Sequence, residues 1–200
     1  MIYIVDYGMG NLGSIANLIR YFDGKCQITN DTQLLENASK LILPGVGAFD
    51  YGMKKLQSLQ LLPVLNYLAT EKKIPVLGIC LGMQLMTLKS EEGVETGLGW
   101  IEAETLRFPA HLRVPNMGWN FIEQTKPSGL FEITDPETRF YFVHSYYVKC
   151  YHPSDILFTA DYENFVYTCG FERDNIFGVQ FHPEKSHRFG KTLLKNFIAL

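Results

Sequence analysis

Apolar residues along this chain keep two rhythms. Ile2–Val5, Lys25–Thr29 and Lys40–Leu43 are short β-branched and aliphatic runs, and the run from Pro75 to Cys80 suits a strand covered on both faces. Between them the spacing changes to that of a helix. Leu12 to Phe22 places Leu12, Ile15, Ala16, Leu18 and Ile19 on one side, and helical patterns also cover Tyr51–Gln57, Leu61–Lys72 and Leu81–Leu88. Pro63 is tolerable near the start of its helix. Strand, turn and helix thus alternate as in an α/β unit with a parallel sheet. The texture then changes: after a break at Glu91-Glu92-Gly93, aromatic and β-branched runs predict strands over 100–106, 118–123, 139–150, 156–160, 164–171 and 176–180. A last helix covers Lys185–Leu200, with Phe189, Leu193, Leu194, Phe197 and Ile198 on its apolar face. The expectation is a parallel first half and a β-rich second half.

Composition narrows the class. A chain of 200 residues with 46% hydrophobic and 20% charged residues is long enough for one domain with a sizeable core, over 1–200. No apolar run approaches the ~20 residues of a membrane span. The chain opens directly on a strand pattern, without the regions of a signal peptide, so a cytoplasmic location and no membrane association are expected. Cys26, Cys80, Cys150 and Cys169 have no C-x-x-C spacing, which argues for reduced thiols and against a zinc ribbon. A net charge of −3 without a Lys/Arg cluster leaves no footprint for nucleic acid. Small molecules and proteins are the expected partners, and no metal or cofactor is called for.

Candidate chemistry centres on Cys80. It stands where the buried strand gives way to a helix, bracketed by Gly78 and Gly82, in the manner of the G-x-S-x-G nucleophile elbow with sulfur for oxygen. Such a bend turns the N–H groups of Leu81 and Gly82 toward the attacked atom. A buried structural cysteine is the alternative, since free cysteines are commonly buried. The turn Asp6–Asn11 contains Gly8 and Gly10, but a dinucleotide fingerprint is matched only by counting on to Gly13, so a tight turn explains it better. Pro44-Gly45-Val46-Gly47 ends the third strand, where backbone matters more than side chain. Among the histidines, His111, His152 and His187 read as surface residues. His182 ends the run from Ile176, followed by Pro183-Glu184; with the chain extended, Glu184 can accept a hydrogen bond from the ring and fix its tautomer.

Together these stretches resemble class I (triad) glutamine amidotransferases. The resemblance rests on Gly78-Ile-Cys80-Leu-Gly-Met-Gln84, Pro44-Gly-Val-Gly47 and His182-Pro-Glu184, and covers essentially the whole chain. Asp6-Tyr-Gly-Met-Gly-Asn11, Pro115-Asn-Met-Gly-Trp-Asn120, Tyr141-Phe-Val-His-Ser-Tyr146 and Phe181–Ser186 are similar to the glutaminase-subunit branch of imidazole glycerol phosphate synthases. The resemblance implies a twisted, mostly parallel α/β sheet flanked by helices. It implies Cys80 as nucleophile, His182 as acid and base, and Glu184 as its orienter. Gln84, Glu92, Ser145 and Tyr146 would hold the α-amino and carboxylate end of glutamine. Gly45, Val46, Gly47 and Leu81 would supply backbone donors to the oxyanion.

The ammonia released would need an acceptor site, which implies a partner: in that family a (β/α)8-barrel cyclase, making imidazole glycerol phosphate and AICAR in histidine biosynthesis. The same resemblance places Pro115, Met117, Trp119, Asn120, Tyr141 and Lys185 at the partner surface, residues whose structural alternative is core packing. Asn116 departs from the family's frequent His. Gly97–Ile101, Arg139–Phe142 and Ser186–Gly190 are similar to a paralogous branch that supplies ammonia for amidination of a surface sugar. A free-standing cysteine hydrolase and a catalytically silent binding module are the other function classes; an intact Cys80, His182 and Glu184 count against the second.

Overall fold

The computed structural model describes all 200 residues. In chain order its first half comprises β1 (Ile2–Val5), α1 (Leu12–Tyr21), β2 (Cys26–Thr29), α2 (Thr32–Leu35), β3 (Lys40–Gly45), α3 (Phe49–Ser58), α4 (Leu62–Asn66), β4 (Val76–Cys80) and α5 (Leu81–Leu85). The second half comprises β5 (Lys89–Ser90), β6 (Ala103–Arg107), β7 (Asn116–Phe121), β8 (Glu123–Gln124), β9 (Arg139–His144), β10 (Tyr146–Cys150), β11 (Ile156–Tyr162), β12 (Phe165–Arg173), β13 (Ile176–Val179) and α6 (His187–Ala199). No helix is long and apolar enough to cross a membrane.

The main sheet runs β2-β1-β3-β4-β13-β12-β10-β6-β5, with β11 branching from β12 and carrying β8. From β2 to β13 the pairs are parallel; β12 pairs antiparallel with β13, β10 and β11. The sheet is therefore mixed, parallel from β2 to β13 and antiparallel beyond, except for the short last pair β6–β5, which is parallel again. β1, β4 and β13 are buried along their whole length because both faces are covered. Alternation on β1 sorts its residues between the layers. Tyr3 and Val5 join Phe49, Leu56, Leu65 and Leu85 on the face of α3, α4 and α5, while Ile2 and Ile4 join Ile15, Ile19, Leu193 and Phe197 under α1 and α6.

Several elements differ from the pattern-based expectation. The helix after Cys80 stops at Leu85, because the returning chain takes its carbonyls: Leu98 N–H donates to Leu85 O at 2.8 Å and Trp100 N–H to Met86 O at 2.9 Å. Residues 139–150 form two strands, broken at Ser145, that belong to different sheets; β9 pairs with β7 in a separate two-stranded sheet. The long helix expected from Leu61 is α4 continued by a π-turn over Tyr67–Glu71. α2, a single turn, has a local signal: the Asp31 carboxylate accepts from Gln33 N–H and Leu34 N–H.

Candidate active site

Three neighbouring parallel strands bring the candidate residues to one edge. Gly45 of β3 stands opposite Cys80 of β4, and β13 lies on the other side of β4 in register Val179 to Ile79. All three end at the same side of the sheet, where open parallel sheets collect ligands. Cys80 has φ 53° and ψ −110°, a backbone conformation that L residues seldom adopt and that marks a strained elbow. The flanking glycines allow it. A Cβ on Gly82 would overlap the Leu43 carbonyl, and one on Gly78 would come within 2.8 Å of Met83 N.

His182 and Glu184 do come together, by another route than the extended chain expected. β13 ends at Val179, and Pro183–Lys185 is a 3-10 turn with His182 at its N-cap. Proline at the first position of that turn suits its fixed φ, so the chain curls instead of extending. The turn folds Glu184 back until Oε1 lies 2.9 Å from His182 Nδ1, both side chains being 2% exposed. The Ser186 hydroxyl donates to His182 O at 2.6 Å and ties the turn down. Burial opposes charging of the imidazole, yet the Cys80 sulfur and the Glu184 carboxylate outweigh it and raise the His182 pKa to about 9. His182 Nε2 is buried without a hydrogen-bond partner, although the ring is near enough to Cys80 for the sulfur to raise its pKa. A thiol on a strained elbow beside a chargeable, carboxylate-oriented imidazole can carry out nucleophilic acyl transfer.

Around this centre Gln84 is buried, its Nε2 donating to Gln180 Oε1 at 3.0 Å and to Tyr146 O at 3.3 Å. Glu92 is part-buried and accepts from Phe49 N–H at 2.8 Å, at the start of α3. Asp50 answers from that helix by accepting from Val94 N–H and Glu95 N–H, each at 3.0 Å, so the Glu92 loop is clamped at both ends. Ser145 and Tyr146 lie part-exposed at the break between β9 and β10. Gly45 and Leu81 are buried, whereas Val46 and Gly47 are exposed, and the N–H groups of Val46, Gly47 and Ala48 make no hydrogen bond within the protein.

The candidate partner residues cluster on and beside the β7–β9 sheet. Trp119 pairs with Tyr141, their rings edge to face at 6.0 Å, and Lys185 Nζ lies 5.6 Å over the Tyr141 ring. Pro115, Met117, Trp119 and Lys185 are exposed. Asn120 instead turns inward, its Nδ2 donating to Asn116 Oδ1 at 3.1 Å. Asn116 is itself buried and reaches the Tyr167 hydroxyl at 3.1 Å and His144 Nε2 at 3.3 Å. Burial lowers the His144 pKa to about 4, and its Nδ1–H donates to Tyr146 O at 2.7 Å.

Three residues of this centre are not evident from the sequence pattern. Gln180 Nε2 lies 3.6 Å from Cys80 Sγ; it stands two residues before His182, so the spacing that singles out Glu184 applies on that side as well. His144 lies within the Tyr141–Tyr146 motif, where nothing local marks it as a buried histidine. Tyr7, 1% exposed, has no signal beyond its place in a glycine-rich turn.

The chain belongs to the class-I glutamine amidotransferase family, whose sequence profile matches residues 3–200. It is 51% identical to the imidazole glycerol phosphate synthase subunit HisH 2 of Methanococcus maripaludis, over 99% of this chain and 98% of that one. Identity to the subunit HisH 2 of Pseudomonas aeruginosa is 45%, with both chains covered in full. Among solved structures, a putative GMP synthase protein from Thermoplasma acidophilum superposes with a TM-score of 0.74 at 22% identity, covering 99% of this chain and 92% of that one. PurLQS from Thermotoga maritima gives 0.71 at 16%, covering 99% and 97%. At such identities these two speak for the fold alone.

Proposed function

We propose that this chain is the glutaminase subunit of an imidazole glycerol phosphate synthase, one domain spanning 1–200. It hydrolyses glutamine to glutamate and ammonia and passes the ammonia to a (β/α)8-barrel cyclase subunit. The observation that carries the chemistry is Cys80 on its strained elbow, with the His182–Glu184 pair beside it. Full-length identity to chains named as such subunits carries the assignment of the pathway.

In this reading the Cys80 thiolate attacks the side-chain carbonyl carbon of glutamine. The oxyanion is met by backbone donors from Val46 or Gly47 and from Leu81. His182, kept charged by the Cys80 sulfur and the Glu184 carboxylate, gives its proton to the departing nitrogen, and ammonia leaves behind a thioester on Cys80. The neutral ring then takes a proton from water, which attacks the thioester and frees glutamate and the thiolate. Because the Gln84 amide nitrogen is already engaged, Gln84 meets the substrate ammonium through its oxygen, beside the Glu92 carboxylate. Ser145 and Tyr146 hold the carboxylate end. Pro115, Met117, Trp119, Tyr141 and Lys185 form the partner surface, and Asn120 supports it from within. The four unpaired thiols fit a reducing, cytoplasmic compartment.

Cys80→Ala tests this in the complex: glutamine-dependent synthesis is lost while ammonia-dependent synthesis persists. Equal loss with both nitrogen sources overturns the separate-site reading. The stretches Gly97–Ile101, Arg139–Phe142 and Ser186–Gly190, similar to the paralogous branch, favour a second reading, amidination of a surface sugar. A complex with a sugar-modifying partner that turns over glutamine only with that acceptor would decide for it.

A further inference from the structure

The turn Asp6–Asn11 has no role in the chemistry so far, yet it packs against the segment that carries the free backbone donors. The Tyr7 hydroxyl, fully buried, donates to Pro44 O at 2.6 Å. A Cβ on Gly10, whose φ is +103°, would lie 3.3 Å from Gly45 N, and the Met9 side chain lies against Gly47. Pro44 is thus gripped one residue before the main sheet lets the chain go. Gly45 still pairs with Cys80, but Val46, Gly47 and Ala48 have unbonded N–H groups, and Val46 and Gly47 are exposed.

We propose that Tyr7 is a positioning residue of glutamine hydrolysis: its hydroxyl fixes the Pro44–Gly45 peptide plane and so sets the direction in which the following donors point. The proposal rests on the reading of Cys80 as nucleophile. A peptide unit is planar and trans, so holding the Pro44 carbonyl toward Tyr7 turns the Gly45 N–H the opposite way. Past Gly45 the two soft dihedrals of each residue are free, and any looseness at the root is passed to Val46 and Gly47. Burial keeps the hydroxyl protonated, as the Cys80 sulfur beside it also does, so Tyr7 is a constant donor through the working pH range. No other side chain donates a hydrogen bond to the Pro44 carbonyl, so Tyr7→Phe leaves it without that donor while keeping the ring that fills the site.

The test measures steady-state glutamate release and Cys80 alkylation by iodoacetamide in Tyr7→Phe, in the complex with acceptor bound. Alkylation forms no oxyanion, so it reads the thiolate alone; it is followed at Cys80 by mass spectrometry because Cys26 and Cys150 are also part-exposed. Loss of a whole oxyanion donor costs on the order of a hundred-fold or more, and a loosened one is expected to cost roughly ten-fold in kcat. KM for glutamine should stay within about two-fold, the mark of an interaction made in the transition state. Alkylation should proceed at the wild-type rate. An unchanged kcat overturns the proposal. So does a parallel fall in alkylation, which would make Tyr7 an electrostatic neighbour of the thiolate, and so does failure of the variant to fold, which would make the bond purely structural. Cys80→Ser is run alongside, and turnover that survives it counts against the nucleophile assignment instead.

Discussion

Replacing Glu184 by Gln tests the acid–base assignment through the pH dependence it controls. The amide oxygen can still accept from His182 Nδ1–H across the 2.9 Å gap, so the tautomer and ring position are kept while the negative charge is removed. A hydrogen bond between charged partners contributes ~1.5–3 kcal/mol against ~1 kcal/mol for a neutral one. The difference, ~0.5–2 kcal/mol, is centred near one pKa unit. Both side chains are almost wholly buried, so solvent screens little of it, and Glu184 Oε2 has no other partner to compensate. The His182 pKa should therefore fall from about 9 toward ~8. In the proposed mechanism the imidazolium is the proton donor to the leaving nitrogen, so rate is lost as pH rises through that value. Glutamate release by the acceptor-loaded complex, profiled from acid to alkaline pH, should show the alkaline limb moving down by about one unit, with a maximal rate between those of wild type and His182→Ala. An alkaline limb that stays in place, or moves up, refutes the reasoning. A maximum as low as that of His182→Ala would mean that Glu184 does more than orient and charge the ring.

Two further outcomes follow from packing around the same edge. Gly82→Ala would drive its methyl into the Leu43 carbonyl, which β3 cannot yield cheaply; a loss of ~2–3 kcal/mol in urea unfolding and of glutaminase turnover is expected, and wild-type stability would disprove the contact. Glu92→Ala frees the Phe49 N–H at the start of α3, at ~1 kcal/mol by thermal unfolding. The same variant should raise the glutamine KM ten-fold or more, a charge-assisted contact being worth ~1.5–3 kcal/mol; an unchanged KM would leave Glu92 as a cap only.

What is legible in the sequence, and what is not, divides along one physical line. Cys80, Gly78 and Gly82 are legible because a strand-to-helix elbow needs glycines at fixed offsets, and a Cβ would clash at each of those glycines. His182 and Glu184 are legible as a pair, but their contact arises from curling and not from the extended chain that the spacing suggests, because Pro183 starts a 3-10 turn. The ends of elements are lost wherever distant backbone decides them. Helix α5 stops at Leu85 because residues 97–101 return to bond its carbonyls, and nothing local in Met86–Leu88 announces that. Ser145 splits a continuous β-pattern because its two halves join different sheets, and periodicity has no information on which sheet a strand will enter. Tyr7 belongs with these. A tyrosine in a glycine-rich turn is ordinary until the parallel order β1-β3-β4 sets that turn beside the end of β3 and, one strand further, beside Cys80. Groups that act on their own neighbours along the chain leave a local trace, whereas Tyr7, Gln180 and Asp50 act on residues 37, 100 and 44 positions away and become visible only once the strand order is known.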